Sequence, residues 1–258
     1  RPFTRAHLRQ RYGPSNPLYE ILETLLKVDV FTFEDDFELS RAAGTDWGPW
    51  TSTNNGAGAA DFGRVTDRPD GVIRGDAGTD DNGDSRIFTT SVEIWTANRR
   101  PTLMGRLGMN SAVASSKFEF GFVDAVGAGA VLVKATPTST ATDYAVIVRD
   151  TDHNTSVDLV TDGTTDAVGL VASAGSVPTF TTQTWYNYML AMNENREVVF
   201  YIDGGFAGIR RAGPDATTVQ GIWLYVQGRD TAANRTLDCD FVKCWQERVP
   251  FSGDAFTT

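Results

Sequence analysis

From Val28 onward the chain is a succession of short stretches whose character alternates at every second residue or stays apolar throughout, each closed by a turn cluster. Phe118, Phe120 and Phe122 stand against Glu119, Gly121 and Val123 in the clearest case. Successive side chains leave a strand on opposite sides, so this period of two predicts strands with one face in a core. Strands are predicted at 28–39, 71–74, 86–96, 102–109, 117–124, 130–136, 142–149, 156–161, 185–192, 197–203, 221–227 and 236–246. Asn54-Asn55-Gly56, Asp70-Gly71, Asp162-Gly163 and Asp203-Gly204 supply turns between them. Val198-Val199-Phe200-Tyr201-Ile202 is apolar at every position and predicts a central strand. Residues 40–84, rich in Gly and Asp, predict long surface loops around one or two short strands. Many short strands with no later helix predict an all-β fold, an antiparallel jelly-roll β-sandwich of two packed sheets.

The exception lies at the start. Asn16 precedes Pro17 as an N-cap precedes a first helical residue, and Glu20 follows in the first turn. Leu18, Ile21, Leu22, Leu25 and Leu26 then share one helical face. That stripe must cover either the sandwich's own edge or a partner subunit. The division expected is a basic arm with one amphipathic helix (1–27), a sandwich (28–249) and a tail (250–258). Residues 1–27 hold Arg1, Arg5, Arg9, Arg11 and Lys27 against Glu20 and Glu23, whereas the whole chain carries −10. An acidic body disfavours nucleic acid, because phosphate contacts need a positive face. Arg5, Arg9 and Arg11 with the apolar stripe are the candidate partner-binding residues, suited to an acidic protein surface. An exposed stripe of that size predicts a homo-oligomer or a bound partner. The best apolar run, from Ile21 to Leu26, is far short of a membrane span, and Arg1 opens no leader pattern, which predicts that none exists or that one was removed.

Catalytic and metal chemistry have few footholds. His7 and His153 are the only histidines, which leaves no serine or cysteine triad and no histidine-rich metal site. Cys239 and Cys244 lie five apart, would face opposite ways on one strand, and read as two buried free thiols. Asp150, Asp152, Asn154 and Asp158 have the spacing of oxygen ligands in a calcium loop but lack its glycine and its closing glutamate. A polar hairpin turn explains the same letters, so no cofactor is expected. Glu34, Asp36 and Glu38 alternate on the opening strand and would share one face. Trp223 and Tyr225 alternate against Ile222, Leu224 and Val226, and on a groove they would stack on sugar rings; core packing is the commoner fate of such a pair. Trp47 and Trp50, flanking Gly48-Pro49, are expected as exposed stackers or interface anchors.

Three segments carry a family resemblance. The hairpin from Trp185-Tyr186-Asn187-Tyr188 to Tyr201-Ile202-Asp203-Gly204, the opening Phe33-Glu34-Asp35-Asp36-Phe37 and the closing Leu237-Asp238-Cys239-Asp240-Phe241-Val242-Lys243-Cys244-Trp245 resemble the concanavalin A-like lectin/glucanase (laminin G-like) sandwiches. This implies the fold and leaves lectin, glucanase, adhesion and virion roles open. In glucanases of that superfamily an E-x-D-x-E strand supplies nucleophile, helper and acid, so the resemblance implies glycoside hydrolysis through Glu34, Asp36 and Glu38. Here, however, Asp35 stands where that motif has an apolar residue, and the strand is the opening one, so a charged, solvated strand is the expected reading. A basic arm with a Pro-capped helix before a jelly roll, in a chain with four lysines among its 23 basic residues, resembles bacteriophage virion proteins. That implies a non-enzymatic decoration or minor capsid protein at the virion surface, with capsid or tail proteins as partners and a host-surface glycan as a further one.

Overall fold

The computed structural model describes residues 30–37, 46–66, 68, 71–89, 94–111, 113–125, 129–133, 136–137, 141–153, 156–162, 169–172, 178–193, 195–231 and 233–247. The expected arm residues Arg5, Arg9, Arg11, Leu18, Ile21, Leu22, Leu25 and Leu26 lie outside this set, as do Glu38 and Asn154. In chain order the strands are β1 (Val30–Asp35), β2 (Asp46–Trp47), β3 (Trp50–Asn55), β4 (Ala60–Arg64), β5 (Ile73–Asp76), β6 (Asp84–Thr89), β7 (Thr102–Met109), β8 (Ser116–Val123), β9 (Leu132–Val133), β10 (Thr136–Pro137), β11 (Tyr144–Asp150), β12 (Asp158–Asp162), β13 (Gly169–Ala172), β14 (Tyr186–Met192), β15 (Val198–Ile202), β16 (Gly205–Arg210), β17 (Gly221–Gly228) and β18 (Thr236–Glu247). A single 3₁₀ turn, Ala97–Arg99, interrupts them among the described residues. One sheet runs β16-β15-β14-β7-β18-β5-β4, with β1 also on β18; the other runs β13-β12-β11-β8-β17-β6-β3-β2. The two pack face to face as an antiparallel jelly-roll sandwich. The opening strand lies beside the closing one, Phe33 opposite Cys244.

The core follows from the alternation. Phe118, Phe120 and Phe122 of β8 and Ile222, Leu224 and Val226 of β17 point inward. They meet Leu103, Tyr188, Leu190, Val198 and Phe200 of the opposite sheet. The Tyr188 ring stands edge-on to Phe118 and Phe120, at centroid distances of 5.7 and 6.3 Å, a favoured geometry for aromatic pairs. Phe120 also fills the space over Gly105, where a Cβ would come within 2.7 Å of the ring.

Several expectations need correction. Residues 40–84 contain β2, β3, β4 and β5, because their glycines serve hairpin turns. Gly56 has φ +118°, and a Cβ there would lie 2.8 Å from the Gly83 backbone. The strand β15 is not central but second from an edge: Val198, Phe200 and Ile202 are buried while Val199 and Tyr201 are half-buried on the outer face. Cys239 and Cys244 do not face opposite ways. A bulge between Cys239 and Phe241 resets the alternation of β18, so both join the core as free thiols. Burial pushes both thiols well above their ordinary value. Trp50 is not an exposed stacker but a core residue, 1% exposed. Its indole N–H donates to Asp35 at 2.8 Å, and its ring packs on Phe33 and Phe37. Arg74 of β5 is forked onto Asp238 of β18.

Gly105→Val should push the Phe120 ring out of its seat and destabilise the fold by about 1–3 kcal/mol. Urea unfolding should show the midpoint falling with the slope unchanged.

Candidate functional site

The outward residues of the second sheet form a grid fixed by strand register. One row is Phe88, Trp223, Gly121 and Val146; the next is Arg86, Tyr225, Glu119 and Val148; the third is Asp84, Gln227, Lys117 and Asp150. An aromatic row thus borders a charged one. Trp223 stacks on Phe88 at 6.1 Å and lies nearly parallel to Tyr225, 5.8 Å away at 12°. Trp223 and Tyr225 therefore share a face as expected, but that face is not an open groove: they are 1% and 0% exposed.

What covers them is the segment 129–133. Ala130, Val131 and Leu132 pack with Phe88, Tyr144, Val146, Trp223 and Tyr225 into a second apolar cluster. At its centre lies a buried ion pair, Lys117–Glu119, 2.8 Å apart with both side chains at 0% exposure. Glu119 accepts the backbone N–H groups of Val131 and Leu132, at 2.9 and 3.1 Å, and the Trp223 indole N–H at 2.9 Å. Lys117 donates to the Leu132 carbonyl. Burial, aided by the Arg229 charge, lowers the Lys117 pKa, and the charges of Glu119 and Asp150 and the Glu119 hydrogen bond oppose that. Asp150 is gripped by Arg229 through Nε, at 2.9 Å, and Nη2. Burial would raise its pKa, but those bonds and the charges of Lys117 and Arg229 hold it below its ordinary value. Asp84 pairs with Arg86 at 3.1 Å, yet burial, aided by the Glu119 charge, pushes its carboxyl up to about 6.

Not every polar atom on this face is answered. The Tyr225 hydroxyl, Arg86 Nε and Gln227 Oε1 are buried without a hydrogen-bond partner. Burial increases across the sheet. Thr51 and Thr53 of β3 are half-buried, Phe88 and Arg86 of β6 are 8% exposed, and Glu119 of β8 is sealed. The unanswered atoms thus sit on β6 and β17, between the β3 side and the covered centre.

Among the described residues, the other candidates are divided between the two sheets and their loops. Glu34 lies on β1 at the outer face of the first sheet, paired with Lys243 at 2.8 Å. Asp35 turns the opposite way, accepting the Phe37 N–H and the Trp50 indole N–H. Asp36 follows at the exposed strand end. Of the expected calcium ligands, both carboxylate oxygens of Asp150 are taken by Arg229, while Asp152 lies in the β11–β12 turn and Asp158 on β12 beside His153, 3.6 Å away. These residues lie along the β11–β12 hairpin. Trp47 occupies β2 opposite Trp50. Lys117, Glu119, Asp84, Arg86 and Arg229 were missed. Their signal is charge alternating with phenylalanine, Lys117-Phe118-Glu119-Phe120, on a strand that register makes central.

No family model matches the chain, and no curated protein matches it in sequence. Solved structures do match. A protein of unknown function from Shewanella oneidensis MR-1 aligns with TM-score 0.58 and 14% identity over 93% of this chain and 98% of its own. The CBM2 module of the evolved Dit of Lactobacillus casei BL23 phage J-1 aligns with TM-score 0.53 and 13% identity, covering 87% and 99%. The carbohydrate recognition domain of Emp46p aligns with TM-score 0.54 and 8% identity, covering 76% and 88%. These likenesses establish the shared jelly-roll sandwich.

The raised Asp84 pKa sets a direction for stability. The native state holds this proton where the unfolded chain, near 3.8, has released it. Stability is therefore lost as pH rises from about 4 to about 6, by an amount on the order of 3 kcal/mol. Asp84→Asn should remove most of that fall, as measured by urea unfolding at pH 4.5 and pH 7.

Proposed function

We propose that this chain is a non-enzymatic structural protein of a bacteriophage virion that displays a carbohydrate-recognising sandwich at the particle surface. The observation that carries the recognition half is the outer face of the second sheet. There, nearly parallel aromatic rings border a row of charged and amide side chains, with the Tyr225 hydroxyl, Arg86 Nε and Gln227 Oε1 unanswered. Flat apolar rings beside oriented donors and acceptors are what a sugar requires: its C–H face stacks while its hydroxyls bond. That the carbohydrate recognition domain of Emp46p and the CBM2 module of a phage Dit share this fold supports the same reading.

The non-catalytic half is supported by occupancy. Retaining glycosidases need two carboxyl groups about 5 Å apart, one a free nucleophile and one a proton donor. On this face Glu119 serves Lys117, two amides and an indole, and Asp150 serves Arg229. Glu34, the first acid of the glucanase-like alternative, is paired with Lys243 on an outer face. The virion half is supported by the basic arm, whose Arg5, Arg9 and Arg11 and whose Leu18, Ile21, Leu22, Leu25 and Leu26 would join the chain to a capsid or tail subunit.

Tyr225→Phe separates recognition from folding. Removing a buried hydroxyl with no partner should leave the melting temperature unchanged or raised, while weakening the strongest glycan-array signal at least five-fold. A flat array for the wild type would sink the reading. Deleting residues 1–27 should leave a folded, monodisperse sandwich that no longer joins particles in a reconstitution assay. Continued assembly would overturn the anchoring role.

A further inference from the structure

Segment 129–133 presents a specific set of groups to the sheet beneath it. Two consecutive N–H donors, those of Val131 and Leu132, face the two oxygens of Glu119 at 2.9 and 3.1 Å. One acceptor, the Leu132 carbonyl, faces the Lys117 ammonium. The apolar side chains of Val131 and Leu132 lie in one cluster with the stacked rings of Trp223 and Tyr225. Two adjacent donors toward a carboxylate, an oxygen toward an ammonium and an apolar surface toward an indole are also what a sugar ring offers. Its vicinal diol donates twice, a third oxygen accepts, and its C–H face stacks.

We propose that residues 129–133 are an autoinhibitory strap, an internal surrogate that occupies the glycan site until a neutral sugar with a free vicinal diol displaces it. The inference rests on the carbohydrate reading above and adds how that site is regulated and what it selects.

Three observations converge on it. First, the bonds the strap makes are exchangeable one for one, so Glu119 and Lys117 need not be left unpartnered in a dry site when it leaves, the outcome that makes broken buried pairs costly. Second, the strap answers only the β8 half of the face. The Tyr225 hydroxyl, Arg86 Nε and Gln227 Oε1, on β17 and β6, stay unpartnered beneath it or beside it, as expected where a longer ligand has further hydroxyls to place. Third, Asp84, Glu119 and Asp150 are each paired with a base, Arg86, Lys117 and Arg229. A floor whose central acids are already paired favours a neutral ligand over an acidic or basic one. Because only the open fraction of molecules binds, the strap lowers apparent affinity by that fraction.

The test uses the full chain with cellobiose, maltose and lactose as probes and per-O-methylated cellobiose, which has no hydroxyl donors, as the control. In the wild type, a saturating disaccharide should speed hydrogen exchange at the Val131 and Leu132 amides at least ten-fold, while the Phe120 amide of β8 stays unchanged. The double variant Val131→Gly, Leu132→Gly should bind the same disaccharide at least ten-fold more tightly, and the methylated sugar should bind neither protein. A disaccharide that binds while those two amides stay protected overturns the strap and leaves the glycan reading standing. Failure of all three probes on both proteins, with the variant folded by circular dichroism, removes the glycan reading and the strap with it. If the double variant does not fold, the wild-type exchange experiment decides alone.

Discussion

A lysine and a glutamate at zero exposure, side by side on the central strand of a sheet, set the terms for much of this molecule. Neither charge can stay in a dry interior alone; removing one partner of such a pair typically costs about 3–5 kcal/mol. Lys117 and Glu119 therefore require both each other and a set of polar groups to complete their coordination. The chain supplies that set from 129–133 and from the Trp223 indole. The other side of the same strand carries Phe118, Phe120 and Phe122 into the main core. One eight-residue strand, β8, thus serves two interiors: an apolar one between the sheets and a polar one outside them. The return of 129–133, the hydrogen bond from the Trp223 indole to Glu119 and the sealing of the face over β8 all follow from that arrangement.

How much of this the sequence disclosed depends on where each signal resides. The alternation of β8 and β17 and the hairpin from Tyr186 to Ile202 are local patterns, and the structure reproduces them. Strand β16, Gly205-Phe206-Ala207-Gly208-Ile209-Arg210, carries two glycines and little alternation, and it exists because β15 offers it an edge. Trp50 read as a loop residue because Gly48-Pro49 precede it. Those two residues form the turn between β2 and β3, and Trp50 is the first inward position after it. The bulge in β18 cannot be counted from letters, yet it alone decides that both cysteines face the core.

The site itself was half legible for a different reason. Period two places Trp223 and Tyr225 on one face of β17, but says nothing about what lies above them. Charged residues alternating with apolar ones on a strand ordinarily mark a solvated face. Here the cover comes from residues 130–132, which follow β8 by a loop and fold back over it. Burial imposed by a returning segment is a tertiary fact, as is the register that brings Asp84, Arg86 and Arg229 to the same patch from β6 and from beyond β17.

The distribution of charge links this face to the rest of the chain. Asp84, Glu119 and Asp150 are each paired with a base, whereas Asp158 and Asp162 extend the same face toward its β13 edge. The net negative charge of the body disfavours nucleic acid and acidic polymers, and the paired charges of the grid suit the neutral ligand proposed for it. The basic arm carries the opposite sign and so favours an acidic partner at the other end of the interaction. In the proposed reading, a face of paired charges, an acidic body and a basic arm separate the two binding tasks by charge. Each can then be altered without rewriting the other.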